Sequence, residues 1–156
     1  MNRSLVFSLA LFAAACKGKD STSPNPVPVT IPVAFTGGTI TARVAATDSA
    51  RTAGLMNVST LGANDGMLFV FGTTRVPSQC GFYMKDTPTS LSIAFIDVNM
   101  KVISTDEMAA ETLTVHQPPG DCRYAVEANS GWFTSHGIVA GSSVTFSLPA
   151  GTIIDP

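Results

Sequence analysis

Short runs of apolar residues, separated by turn-forming residues, dominate the chain from about Val33 onwards. Residues 39–44 alternate polar and apolar side chains, which is typical of a strand with one buried face. Residues 66–72 form an apolar run bounded by glycines, which is typical of a strand buried on both faces. The same criteria predict five further strands, at residues 80–85, 91–98, 101–104, 123–128 and 143–148.

Two short helices complete the predicted elements. One spans residues 49–56 and follows Thr47 and Asp48, either of which can cap a helix N-terminus. The other covers residues 130–136 and ends at Gly137. About seven short strands with two short helices predict a mainly β (α+β) domain, built as a small compact β-barrel.

Residues 1–15 carry the pattern of a signal peptide. Arg3 supplies a positive charge, and residues 5–15 form an uncharged, largely apolar segment. This segment is shorter than the roughly 20 residues that a membrane-spanning helix needs. The small residues that precede Cys16 resemble the lipobox of bacterial lipoproteins, which implies that Cys16 is acylated and becomes the mature N-terminus. An ordinary signal peptide cleaved near Ala15 is the alternative.

Residues 16–32 are polar and then proline-rich, which is typical of an extended tether. We expect the globular domain to occupy residues 33–150 and to be followed by a short tail, residues 151–156. Lys17 follows the lipobox cysteine, and in many Gram-negative lipoproteins a residue other than Asp there accompanies sorting to the outer membrane. The sequence therefore predicts a lipid-anchored protein of the cell envelope, with the outer membrane favoured.

Composition and charge exclude two classes of protein. Hydrophobic residues make up 45% of the chain and charged residues 13%, which excludes disorder for most of its length. The formal net charge is −2, and the nine Lys and Arg residues form no cluster. A basic patch is the electrostatic requirement for binding nucleic acid, so we expect no nucleic-acid partner.

Two cysteines, Cys80 and Cys122, remain when Cys16 is set aside. An even pair in an oxidising compartment favours a disulfide between them. Two buried free thiols or a redox pair are the alternatives, although no Cys-x-x-Cys spacing supports redox catalysis.

Six short motifs occur in order along the domain: Gly54-Leu55-Met56, Gly66 to Phe71, Phe82 to Thr87, Leu91 to Asp97, Tyr124 to Glu127 and Gly137-Ile138. Together they resemble the bacterial and archaeal family catalogued as domain of unknown function 192. The resemblance covers about residues 40–146 and implies no established activity. The chain departs from the family pattern where Tyr83 replaces a Trp, Asp86 an Asn, Pro88-Thr89 an Ile-Pro pair and Ser92 an acidic residue. A function that needs the carboxylate missing at Ser92 is expected to be lost or altered.

Residues 132–146 are similar to the helix-turn-strand element, called the GD box, of cradle-loop and double-psi β-barrels. The turn of that element needs a residue with positive φ, which Gly141 can adopt without steric cost. The Asp expected at the next position is Ser142. The similarity implies a barrel of this kind.

Lys85, Asp86 and Thr87, with the neighbouring Tyr83, are the main candidates for a ligand-binding rim. A cation, an anion and a hydroxyl at the end of a strand can hold a polar or anionic ligand by charge-assisted hydrogen bonds. The alternative is structural, because Asp86 and Thr87 can cap their own turn. Glu127 interrupts an apolar strand and is a further candidate, although exposure at a sheet edge also explains a charge at that position.

Methionine and histidine side chains are the ligands that suit copper(I) in an envelope protein. However, no Met-x-Met or Met-x-x-Met spacing occurs. Met56, Met67 and Met84 lie beside apolar motif residues, where methionine commonly fills core space. We therefore predict no metal site and no cofactor.

Catalytic motifs such as Gly-x-Ser-x-Gly, His-Glu-x-x-His and a phosphate-binding loop do not occur, which favours binding over catalysis. The preferred hypothesis is an envelope module that binds a small polar molecule, a glycan or a partner protein. A hydrolase with a site near Glu127 and His136 is one alternative, although a favourable interaction with a helix dipole also explains His136. A structural or assembly factor of the envelope is the other.

Overall fold

The computed structural model of the protein describes residues 29–156. The predicted signal peptide, the lipidation of Cys16 and nearly all of the tether lie outside the described residues. Among residues 29–156, no helix has the length and apolar character needed to span a bilayer.

Seven strands and two short helices make up the domain. In chain order they are β1 (Thr30–Phe35), β2 (Gly38–Ala45), α1 (Asp48–Ala53), β3 (Asp65–Arg75), β4 (Leu91–Ile96), β5 (Val102–Met108), β6 (Cys122–Asn129), α2 (Trp132–Ser135) and β7 (Val144–Thr145). A single 3₁₀ turn, Pro77–Gln79, follows β3. The mainly β fold with two short helices is thus confirmed.

All seven strands belong to one sheet, in the order β5-β4-β6-β3-β2-β1-β7. The β2–β3 pair is parallel, and the other neighbouring strands are antiparallel. The two ends of the sheet approach each other, because Lys101 bridges Ser143 and the Val102 N–H donates to the Ser142 carbonyl at 2.9 Å. The sheet therefore curls into a half-barrel.

Two apolar cores lie on the two faces of this sheet, as the alternation along β3 shows. Leu68 and Val70 pack into an inner core that receives residues from all seven strands and from α2. Met67, Phe69 and Phe71 pack into an outer core, which is covered by the segments that follow α1 and β3. A strand that is buried on both faces needs an unbroken run of apolar residues. Residues 66–71 form such a run, which is why the sequence predicts a strand buried on both faces there.

The prediction of a strand at residues 80–85 is wrong. Only Phe82 forms a bridge there, with His116, and Cys80 and Met84 anchor an irregular segment to the outer core. The sequence analysis also missed β1, whose first residues fall in the predicted tether. Pro32 lies within β1, opposite Thr41, and proline usually argues against a strand.

Cys80 and Cys122 form a disulfide, which confirms the pairing predicted from the cysteine count. The bond joins the segment after β3 to the first residue of β6. It closes a loop with a sequence separation of 42 residues. Closing a loop of this length stabilises a fold by about 4 kcal/mol on the chain-entropy model.

Two predicted turn details are also present. Thr47 is the cap of α1, and its hydroxyl accepts a hydrogen bond from the Ala50 N–H at 3.3 Å. Gly141 has a φ of 88°, in the region that favours glycine. The Ser142 hydroxyl accepts from the Val139 N–H at 3.0 Å, so it fixes the turn where the GD box has an Asp.

Candidate functional site

Glu127 lies in the middle of the sheet. Its strand, β6, is flanked by β4 and β3, and the residues directly opposite Glu127 are Ile93 and Met67. Its side chain points towards the outer core, because Val126 and Ala128 on either side of it belong to the inner core. Only 5% of Glu127 is exposed, so its explanation as an exposed edge residue is wrong.

The Glu127 carboxyl has no partner among residues 29–156. It takes part in neither of the salt bridges found there, and no side chain or backbone N–H hydrogen-bonds to it. Burial raises the pKa of this carboxyl to about 8, since the charged form is deprived of water and receives nothing in exchange. The carboxyl is therefore mostly protonated at neutral pH.

A pocket of about 370 Å³ opens above Glu127 on the outer face of the sheet. Phe69 and Phe71 of β3 form one wall, and Leu55 and Phe82 line the pocket from the segments after α1 and β3. Glu127 lies on a strand with neighbours on both sides and points to the outer face of the sheet, so it forms the floor of the pocket. We call this cavity the Glu127 pocket.

The segment after β3 is held in place as a rim of the Glu127 pocket. The disulfide fixes Cys80, and Phe82 exchanges two backbone hydrogen bonds with His116, at 3.0 and 2.8 Å. The Phe82 ring packs edge-on against Phe69, with 4.9 Å between ring centroids. These contacts orient the rim without a regular strand.

Four of the five predicted binding residues line the Glu127 pocket. Tyr83, Lys85 and Thr87 come from its rim and Glu127 from its floor. Asp86 does not line it, and instead adopts a φ of 51° while its carbonyl accepts from the Asn57 N–H at 2.7 Å.

Thr87 also has a structural role. It is buried, and its hydroxyl donates to the Lys85 carbonyl at 3.2 Å while its N–H donates to the Met84 carbonyl at the same distance. This is the turn that the structural alternative predicts. Binding and turn formation are therefore not exclusive at Thr87.

Two arginines that sequence reasoning missed also line the pocket. The guanidinium carbons of Arg51 and Arg75 lie 5.5 and 5.8 Å from the centroid of the Phe71 ring. Arg75 is four residues after Phe71 on β3, but the pairing of β3 with β6 shifts register between Val70 and Arg75, so strand periodicity does not fix which face Arg75 occupies. Arg51 comes from α1, and no spacing in the sequence predicts that it lies beside β3.

The guanidinium groups of the two arginines differ in how many of their N–H groups have hydrogen-bond partners. The Arg51 guanidinium donates to the carbonyls of Ala46 and Val70, at 2.6 and 2.8 Å, and forms an ion pair with Asp48. Arg75 donates to the Pro156 carbonyl at 2.6 Å, but its buried Nε has no partner in the described part of the chain. Arg75 therefore keeps hydrogen-bonding capacity beside the pocket.

His136 lies away from the Glu127 pocket. Its ring stacks on Trp132, with centroids 4.0 Å apart, and Nδ1 lies 2.7 Å from the Trp132 carbonyl oxygen. Trp132 belongs to the inner core, whereas Glu127 faces the outer core. The sheet thus separates the two residues that the hydrolase alternative requires together.

Ser92, where the family pattern has an acidic residue, has a carboxylate beside it from another strand. Its hydroxyl donates to Glu107 of β5, at 2.6 Å, and accepts from the Gly131 N–H at 2.7 Å. Glu107 also accepts from the Ser130 hydroxyl at 2.8 Å. The group holds the start of α2, and none of its members lines the Glu127 pocket.

Residues 31–146 match the family model of domain of unknown function 192 (DUF192), described as "Uncharacterized ACR". The chain belongs to the DUF192 family. The match includes every residue that lines the Glu127 pocket, so the pocket is part of the DUF192 domain. None of the curated proteins compared with the chain matches it.

Two solved structures share the DUF192 chain's fold. One, from Sinorhizobium meliloti 1021, is described as a proposed transcription regulator; it is 23% identical, with a TM-score of 0.70, over 76% of this chain and 95% of that one. The other, from Novosphingobium aromaticivorans DSM 12444, is described as a protein of unknown function; it is 26% identical, with a TM-score of 0.67, over 76% of this chain and 84% of that one. The regulator description applies to the first protein, whose likeness shows the fold alone.

Proposed function

We propose that the DUF192 domain binds one small polar molecule in the Glu127 pocket, without catalysing a reaction. The observation that carries this proposal is the buried carboxyl of Glu127, which has no partner among the described residues. Among the described residues, the fully buried side-chain polar atoms without a partner include only Arg75 Nε, so the Glu127 oxygens face the pocket although most of their hydration is lost. This loss of hydration destabilises the protein by up to about 1–3 kcal/mol. A ligand that hydrogen-bonds to Glu127 removes this penalty, which explains why a carboxyl occupies this buried position.

The composition of the pocket favours binding over catalysis. Of the described residues that line it, none is a His, a Cys or a Ser, the usual nucleophiles and bases. Its second carboxylate, Asp48, is paired with Arg51. Besides Glu127, the lining residues able to exchange protons are Tyr83 and Lys85, and both stand at the exposed rim and not beside Glu127 on the floor. Hydrolysis generally uses an acid and a base held together in a shared cleft.

We also propose that the domain works outside the cytoplasm, anchored through Cys16. The disulfide supports an oxidising compartment, because such bonds are rare in reducing ones. The lipobox-like sequence supports acylation, and Lys17 supports the outer membrane. Glycans and partner proteins of the envelope remain candidate ligands beside small molecules.

A library of small polar molecules, screened by thermal shift and confirmed by NMR, tests the binding proposal. A ligand at about 100 times its Kd should stabilise the protein by about 2.7 kcal/mol. We expect Glu127→Met, which removes both hydrogen-bonding oxygens but keeps the chain length, to abolish this stabilisation. Lys101→Ala, a change far from the pocket lining, is the control. Ligands that stabilise the Glu127→Met variant as much as the native protein would show that the pocket is not the site.

Glu127→Gln separates binding from the hydrolase alternative. The amide keeps one donor and one acceptor but cannot exchange a proton. A binding pocket should therefore retain its ligand in this variant. An envelope substrate whose hydrolysis is lost in Glu127→Gln, with its binding retained, would contradict the non-catalytic proposal.

A further inference from the structure

The residues that line the Glu127 pocket carry a positive balance of charge, with Arg51, Arg75 and Lys85 against Asp48 and the mostly protonated Glu127. Lys85 is exposed and takes part in no salt bridge among residues 29–156, and Arg75 has a buried Nε without a partner. The only acidic residues that line the pocket are Asp48, which is paired with Arg51, and Glu127. Lys85 is thus free to pair with an anion, and Arg75 adds a second positive charge to the lining although part of its guanidinium donates to the Pro156 carbonyl.

The floor of the pocket favours a ligand group different from the anion, because Glu127 is mostly uncharged at neutral pH. An uncharged carboxylic acid offers one O–H donor and one carbonyl acceptor, and a hydroxyl can satisfy both. An ammonium group offers donors only, and the arginines beside Phe71 repel a cation. The part of the ligand that reaches Glu127 is therefore neutral and hydroxylated.

The walls and the volume of the pocket limit the size and the polarity of the rest of the ligand. Phe69, Phe71 and Phe82 present apolar surface, and Tyr83 stands at the rim with 54% of its surface exposed. A volume of about 370 Å³ is near the lower end of the roughly 300–1,000 Å³ found for small-molecule sites. A single ring with one apolar face suits these walls, and a long chain does not.

We infer that the pocket takes an anionic, hydroxyl-bearing molecule of monosaccharide size, either a sugar acid or a sugar phosphate. Its anionic group lies beside Lys85 and Arg75, its ring lies against the aromatic wall, and a hydroxyl reaches Glu127. This inference rests on the proposed function and names the chemistry of its ligand. Carboxylate and phosphate both present anionic oxygens to Lys85 and Arg75, and phosphate carries the larger charge.

Calorimetric titration with four sugars of similar size tests the inference: D-glucuronate, D-glucose 6-phosphate, D-glucose and D-glucosamine. The titrations use the purified protein below the pKa of Glu127, at constant ionic strength. We expect at least one of the two anionic sugars to bind about tenfold or more tightly than glucose. Lys85→Ala and Arg75→Gln should remove most of this preference, and Lys101→Ala should leave it unchanged. The better anion identifies carboxylate or phosphate as the preferred group.

Equal affinity for glucose, a preference for glucosamine, or no binding of either anion at concentrations on the order of 10 mM would overturn the inference. The proposed function can survive that result. Binding of glucose or glucosamine that Glu127→Met abolishes would support the pocket while excluding an anionic ligand. Binding of any of the four sugars that is the same in Glu127→Met and in the native protein would overturn both proposals, because the sugar then lies elsewhere.

Discussion

Ser92 and Glu107 face each other on β4 and β5, and the serine hydroxyl donates to the carboxylate across 2.6 Å. Both also accept the Gly131 N–H at the start of α2. Ser92 is fully buried, so its hydroxyl depends on these partners. The carboxylate that the family pattern has at position 92 is thus replaced by one from the neighbouring strand.

We expect Ser92→Ala to lower the free energy of unfolding by about 1 kcal/mol, because it removes a buried hydroxyl with two hydrogen bonds. Glu107→Gln should lower it by less, because Glu107 is exposed and the amide oxygen can still accept from the Gly131 N–H. The double variant should lose less than the sum, since the two residues act on one N–H. Urea unfolding of the four proteins measures this coupling. Additive losses, or a change in ligand binding at the Glu127 pocket, would contradict the structural role given to this pair.

The disulfide should stabilise both the fold and the pocket rim. We expect replacement of Cys80 and Cys122 by alanine to lower the free energy of unfolding by roughly 2–4 kcal/mol. The affinity of any pocket ligand should fall as well, because Gln79, Gly81 and Phe82 line the pocket next to the bond. Chemical unfolding with and without reductant measures the first effect. An unchanged midpoint under reducing conditions would argue against the bond.

The stability of the protein should depend on pH through Glu127. Its pKa is about 8 when folded and close to the ordinary 4.5 when unfolded, so the folded state holds a proton that the unfolded state releases between these values. The free energy of unfolding should therefore fall as pH rises from about 5 to about 8, by roughly 3–5 kcal/mol at about 1.4 kcal/mol per pKa unit.

Glu127→Gln should remove this dependence, since an amide does not titrate. Asp48, Arg51, Arg75, Tyr83 and Lys85 also line the pocket and are identical in both proteins, so the comparison isolates Glu127. Urea unfolding at a series of pH values is the measurement. Parallel curves for the native protein and the variant would mean that the carboxyl is not desolvated.

Export and lipidation make a separate prediction. We expect the native protein to incorporate labelled palmitate and to fractionate with membranes, whereas Cys16→Ser should do neither. Lys101→Ala is the control, because it leaves Cys16 and the Cys80–Cys122 disulfide unchanged. Equal labelling of Cys16→Ser and the native protein would contradict the lipoprotein interpretation.

The sequence was sufficient for the strands whose apolar pattern is local. It also singled out Tyr83, Lys85 and Thr87, which line the pocket, although Asp86 does not line it and no regular strand forms at residues 80–85. It was not sufficient for β1, because Pro32 argues against a strand unless the neighbouring strands are known. The same holds for Glu127. A charge in an apolar strand fits a sheet edge or a buried site equally well, and only the strand order decides between them.

The positions of the two pocket arginines could not be predicted from the sequence either. Arg51 and Arg75 are 24 positions apart in the chain, and both approach the ring of Phe71 in the folded domain. Helix α1 has no buried residue, so its own pattern does not indicate which face meets the sheet. Contacts of this kind arise from packing, which a single sequence does not show.

In the proposed function, Glu127 serves to bind a ligand and does not stabilise the fold. The free energy of unfolding of Glu127→Met, measured without ligand at neutral pH against the native protein, tests it most directly. Because the methionine removes an unpartnered buried carboxyl from an apolar site, we expect the variant to be more stable by roughly 1–3 kcal/mol. A variant less stable than the native protein would show that the carboxyl contributes to folding, and the claim would fail.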